Sequence, residues 1–227
     1  MEILTIEKLK EEAKLFAQEE SSKKEKILFG VTDGKRVGTY FEHKFQHYLK
    51  TKYEYNKGSS ANGLDFPELE VDMKVTSIEQ PQSSCPFKSA RQKIFGLGYN
   101  LLVFVYQKID FTDQEVGQLN ILHTIFVEKD RTADFQITTD INRIIENDQQ
   151  FEQDVIIEDL MALFEDKRLP VDEIQSKQIA EEILVNRPNV GYLTISNALQ
   201  WRLQYGRVIS VADDVSGVIR LHSGQRI

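Results

Sequence analysis

"DFPELEVDMKVTS", Asp65 to Ser77, is the stretch whose reading decides the fold. From Leu69 onward, apolar Leu69, Val71, Met73 and Val75 alternate with polar Glu70, Asp72, Lys74 and Thr76. Strand side chains repeat every two residues, so the pattern predicts a strand with one apolar face and one face carrying Glu70, Asp72 and Lys74. Its neighbours complete the picture. "RVGTYFEHKFQHYLK" (36–50) has Val37, Phe41, Phe45, Tyr48 and Leu49 at helical spacing, and "NKGSSANG" (56–63) has the composition of a loop. After "PQSSCP", "FKSARQKIF" (87–95) reads as a short basic helix closed by Gly96 and Gly98. "YNLLVFVYQKI" (99–109) is almost continuously apolar, as in a strand covered on both faces, and "LNILHTIFVEK" (119–129) is a further strand. With an amphipathic helix over 4–24, this order predicts an α/β core with a mixed central sheet flanked by helices.

A chain of 227 residues can bury a core as one sizeable domain, or one domain with a small appendage. The first twenty residues are acidic and amphipathic, unlike a secretory signal, and no apolar run is long enough to cross a bilayer, so a cytoplasmic location is expected, with no membrane partner. A single cysteine, Cys85, excludes an internal disulfide and lacks a base nearby in sequence, so a thiol nucleophile is not expected. His43, His47, His123 and His222 do not form a zinc-ligand pattern. The net charge of −8 opposes indiscriminate binding to nucleic acid while leaving room for a local basic groove. Residues 86–109 contain Lys88, Arg91, Lys93 and Lys108 with no acid, and 187–227 carry five bases against two acids.

The tail has a different rhythm. Residues 155–166 and 176–186 read as helices, 194–208 as a third helix, and "ISVADDVSGVIRLH" (209–222) as a hairpin. Three helices and a two-stranded wing predict a small C-terminal winged-helix-like domain, 151–227, after a first domain, 1–150. On the third helix Ser196, Asn197, Gln200, Gln204 and Arg207 share one quadrant, with Trp201 among the apolar residues opposite. Amides and arginine are the side chains that read adenine and guanine edges in a major groove. Arg202 falls on the apolar side and interrupts the pattern.

An aspartate two residues before a lysine fits a solvated strand face with an internal ion pair. It also fits a site, because Asp65 stands seven residues before Asp72 and "FPEL" would turn the chain into the strand. Two carboxylates converging at a strand end suit magnesium, which takes one or two carboxylates together with substrate phosphate. A lysine beside them can orient a water and stabilise charge on a phosphate under attack.

The segment "DFPELEVDMK", preceded by a glutamate-bearing helix and followed by a basic helix and an apolar strand, resembles the PD-(D/E)xK nucleases. It is most similar to type II restriction enzymes and the mismatch-repair nicking endonuclease MutH, over roughly residues 36–110. The resemblance implies a restriction-endonuclease-like fold, Asp65 and Asp72 as metal ligands, and Lys74 positioning the attacking water. Glu42 would bind a second metal or its water, so one or two Mg2+ ions are implied. The second acid is Asp where Glu is more usual, and Glu70 competes with Asp72 for the ligand role. The implied activity is hydrolysis of double-stranded DNA at a specific sequence, leaving a 5′-phosphate and a 3′-hydroxyl, with a homodimer matching a palindromic site. A MutH-like nicking enzyme and a non-catalytic winged-helix regulator are the alternatives. Lys88, Ser89, Arg91, Gln92 and Lys93 are candidate phosphate contacts beside the tail residues named above.

Overall fold

The structure, a computed structural model, describes residues 2–56, 58, 63–85, 88–147, 152–196 and 201–227. In chain order the elements begin β1 (Glu2–Ile3), α1 (Ile6–Glu20), β2 (Lys24–Glu25), α2 (Gly34–Lys50), β3 (Tyr53–Glu54), β4 (Val71–Ser77) and β5 (Gln82–Cys85). Then come α3 (Arg91–Phe95), β6 (Asn100–Phe111), β7 (Val116–Val127), α4 (Phe135–Asn147), α5 (Gln153–Asp166) and α6 (Glu173–Val185). The chain closes with β8 (Thr194–Ile195), β9 (Trp201–Gln204), α7 (Gly206–Val211) and β10 (Val218–Ser223). Two compact units divide it. The first is Met1–Ser83, Tyr99–Glu128 and Val208–Ile227, and the second is Ser84–Gly98 and Lys129–Arg207. The expected boundary near 150 falls within the span of the second unit.

The first unit is built on the mixed sheet β10-β7-β6-β4, with β2 also paired to β7. β4 runs parallel to β6, with Asp72 opposite Leu101 and Lys74 opposite Val103, and β7 runs antiparallel to both β6 and β10. Helices cover the sheet because their apolar stripes have nowhere else to go. Asp33 caps α2 by accepting the Lys35 N–H at 2.9 Å, and the stripe Val37, Phe41, Phe45 and Leu49 is fully buried. Burying each such side chain contributes roughly 1.5–3 kcal/mol. Phe41 and Phe45 meet Phe104 of β6 at centroid distances of 4.9 and 5.3 Å, and Phe16 of α1 packs on both.

The second unit has its own core, formed by Ile137 and Ile141 of α4, Ile156, Leu160 and Phe164 of α5, and Ile179 and Ile183 of α6. α4 lies in a stretch to which the sequence reading assigned no element. Its start is fixed by Asp134, whose Oδ1 accepts the Ile137 N–H at 3.1 Å and whose Oδ2 accepts the Ile195 N–H at 2.8 Å.

The tail departs from expectation. In place of a helix over 194–208, β8 and β9 form an antiparallel pair, Thr194 opposite Gln204 and Ile195 opposite Leu203; Asn197 and Gln200 lie outside the described residues. Trp201, Leu203 and Tyr205 are buried while Arg202 and Gln204 are exposed, a period of two that the helical reading met as the misplaced Arg202. Nor do residues 209–222 form a hairpin. α7 and a turn at Asp213 deliver β10 to the edge of the central sheet, where Val218 pairs with Val127. Val218 has no exposed surface, so an available sheet edge and apolar burial outweigh a local hairpin.

Candidate active site

Phe66 and Val71 exchange backbone hydrogen bonds, Phe66 N–H to the Val71 carbonyl at 3.0 Å and Val71 N–H to the Phe66 carbonyl at 3.1 Å. The loop they close begins with the 3-10 turn Pro67–Leu69, favoured by proline at its first position, and ends at Glu70 in the left-handed region (φ 51°, ψ 45°). Residues flanking this clasp must lie side by side, and they are Asp65 and Asp72. Met73 N–H donates to Asp65 Oδ2 at 2.8 Å, which anchors the first carboxylate to β4. Asp65 also lies within hydrogen-bonding reach of the Asp72 carboxyl. Lys74, two residues on and on the same face, places Nζ 2.6 Å from Asp72 Oδ2.

Asp72 is 5% exposed, and β4 is consequently covered on both faces at this point. Burial pushes its carboxyl up to about 6; Lys74 opposes the shift and Asp65 adds to it. The shift thus comes first from desolvation, which the ion pair with Lys74 does not cancel.

Glu42 on α2 approaches from the helix side. Gln46, one turn later and 3% exposed, directs its amide nitrogen to Glu42 Oε1 and to Asp65 Oδ1, both at 3.4 Å. The structure thus brings Asp65, Asp72, Lys74 and Glu42 into one neighbourhood. It adds Gln46, which the sequence reading passed over; the available signal was its i+4 spacing from Glu42. Glu70 is placed differently. It precedes β4, is exposed, and its left-handed backbone interrupts the alternation that would set it on the face of Asp72.

The candidate DNA contacts are scattered among other roles. Lys88 is exposed, and Arg91 is ion-paired with Glu182. Gln92 bonds the Leu97 carbonyl at 3.3 Å. Lys93 is 6% exposed, and burial pushes its ammonium pKa down although Asp134 opposes this. Ser196 Oγ accepts the Arg202 N–H at 3.2 Å, and Arg207 stacks on Phe135 at 3.7 Å. Gln204 projects from β9 to solvent.

Among the described residues no three of His, Cys, Asp and Glu converge tightly enough to cage a cation alone. The paired carboxylates of Asp65 and Asp72 nonetheless fit a hard divalent ion that keeps water and takes further oxygens from a phosphate. Two comparisons bear on this geometry. The family model described as type II restriction enzyme NspV matches residues 3–220. A type II restriction enzyme NspV from Nostoc sp. is 58% identical over 222 residues, covering 98% of this chain and 98% of the relative. No solved structure matches the chain.

Proposed function

The chain belongs to the family of the type II restriction enzyme NspV, and from that premise we propose that it cuts double-stranded DNA at a specific sequence with the Asp65–Asp72–Lys74 cluster. The observation that carries this reading is the clasp between Phe66 and Val71, which puts two carboxylates and a lysine at one strand start. Such a grouping is what PD-(D/E)xK chemistry requires, and β4 lying parallel to β6 is compatible with a restriction-endonuclease-like core.

Asp65 and Asp72 would hold magnesium, with Glu42 behind them. Bound there, the ion would supply Lewis-acid stabilisation of phosphate charge and make water a better nucleophile at neutral pH. Lys74 has three N–H donors, enough to keep Asp72 while orienting a water and a phosphate oxygen. The water oxygen bonds to phosphorus, releasing a proton to solvent, as the bond to the 3′-oxygen breaks. The leaving oxygen takes up a proton to become a 3′-hydroxyl, and the phosphate remains on the 5′ end. Asp72 serves as a ligand in its ionised form, which favours neutral to alkaline pH. Lys88, Arg91, Ser196, Gln204 and Arg207, with Asn197 and Gln200, are proposed contacts to DNA, and a two-fold dimer would match a palindromic site.

Unmodified phage DNA incubated with the protein and magnesium is expected to yield discrete fragments sharing one end sequence. EDTA, Asp72→Ala and Lys74→Ala should each abolish them. Intact DNA under all conditions, with binding retained, would favour a non-catalytic DNA-binding protein. Single-strand interruptions alone would favour the nicking enzyme.

A further inference from the structure

Gln46 carries an unusual burden for a neutral side chain. Its amide nitrogen stands between two acids, 3.4 Å from Glu42 Oε1 and 3.4 Å from Asp65 Oδ1, while its Oε1 is buried without a hydrogen-bond partner among the described residues. A carboxamide has two N–H donors, one for each carboxylate, and both contacts sit at the long limit of such bonds. The amide is therefore shared between the acids and committed to neither. The backbone beneath it is pinned, because the Tyr55 hydroxyl donates to the Gln46 carbonyl at 3.1 Å. Leaving a buried amide oxygen unpaired is costly, so it calls for a donor that binds later.

We infer that Gln46 is a positioning residue for the cation site: its nitrogen spaces Glu42 and Asp65, and its Oε1 awaits a donor from the hydration shell of a divalent ion. This rests on the metal-assisted reading above. A neutral amide suits the task better than either charged alternative. A lysine here would oppose the cation, and a carboxylate would repel both acids until the cation arrived. The amide separates the carboxylates while leaving their negative charge available to the ion, as outer partners of metal ligands do.

The test is Mn2+ binding to the metal-free full chain, followed by electron paramagnetic resonance, for the native protein and for Gln46→Met, Gln46→Glu and Asp72→Asn. Melting curves are recorded in EDTA and in Mn2+. Gln46→Met, similar in length but without the amide, is expected to weaken Mn2+ binding about tenfold or more. Gln46→Glu is expected to melt below the native protein in EDTA at pH 8 and to regain the difference in Mn2+. Native-like Mn2+ binding by both Gln46 variants, with Gln46→Glu melting as the native protein does in EDTA, would overturn the inference. Should Gln46→Met fail to fold, the melting behaviour of Gln46→Glu decides alone. A native protein that binds no more Mn2+ than Asp72→Asn would overturn the metal-assisted reading and this inference together. A native protein that binds Mn2+ better than Asp72→Asn, with both Gln46 variants matching it in binding and in EDTA melting, would overturn only the latter.

Discussion

At the scale of single residues, Asp72 sets a measurable pH dependence. Its folded pKa is raised from 3.8 to about 6, so the folded chain holds this proton at pH values where the unfolded chain has released it. The stabilisation is complete below the unfolded value and disappears as pH rises through about 6. Above that, the ionised carboxyl costs the metal-free protein about 3 kcal/mol relative to a neutral group, at 1.36 kcal/mol per pH unit. In EDTA, Asp72→Asn is therefore expected to melt above the native protein at pH 8, with the gap closing towards pH 4. Parallel melting profiles would show that burial does not perturb this group. Glu70 supplies a second prediction. Its left-handed backbone costs an L-residue roughly 1–2 kcal/mol, so Glu70→Gly is expected to raise the melting temperature by roughly 2–8 °C and to keep cleavage, whereas Asp72→Asn loses cleavage. Loss of cleavage in Glu70→Gly would make Glu70 the working acid. Asp72 and Lys74 drew notice as charge on a strand face and Asp65 through the turn that follows it, whereas Glu42 entered only through the resemblance to PD-(D/E)xK nucleases. Gln46 was not legible, since an amide acquires meaning only from the two acids that tertiary structure sets beside it.

At the scale of elements, period decided success and failure. α2, β4, β6 and β7 were readable because their apolar residues recur at 3.6 or 2.0, or fill a strand buried on both faces. Trp201 to Tyr205 was misread because a five-residue alternation is short, and the amides and arginine around it also fit a helix wheel. The two readings predict different energetics. In the strand, Leu203 is fully buried and Gln204 is exposed. Leu203→Ala is expected to cost about 2–5 kcal/mol in urea unfolding, while Gln204→Ala stays within about 0.5 kcal/mol. Similar small losses for both would remove the case for a buried β9. If Gln204 also contacts DNA, its alanine variant should separate binding from stability.

At the scale of the whole molecule, neither unit is a continuous stretch of chain. The path runs through the first unit, then the second, returns for β6 and β7, leaves again for 129–207, and comes back with α7 and β10. Hydrophobic periodicity reports on neighbours in sequence, so it carries no mark of a strand that rejoins its sheet from far away. A chain ending at Arg207 lacks β10 and leaves the long strand β7 with a bare edge, a known template for aggregation. It is expected to be insoluble or to lose cooperative melting, and a chain ending at 150 should fail in the same way. A soluble, cooperatively melting fragment of either length would show that β10 is dispensable. The pairing of Val218 with Val127 also has a consequence in time. About ninety residues separate the partners, and at 5–20 residues per second a ribosome needs on the order of 5–20 s to make them. Throughout that interval the nascent chain carries the proposed cutting residues on an unfinished sheet, with the edge of β7 that β10 will cover still open.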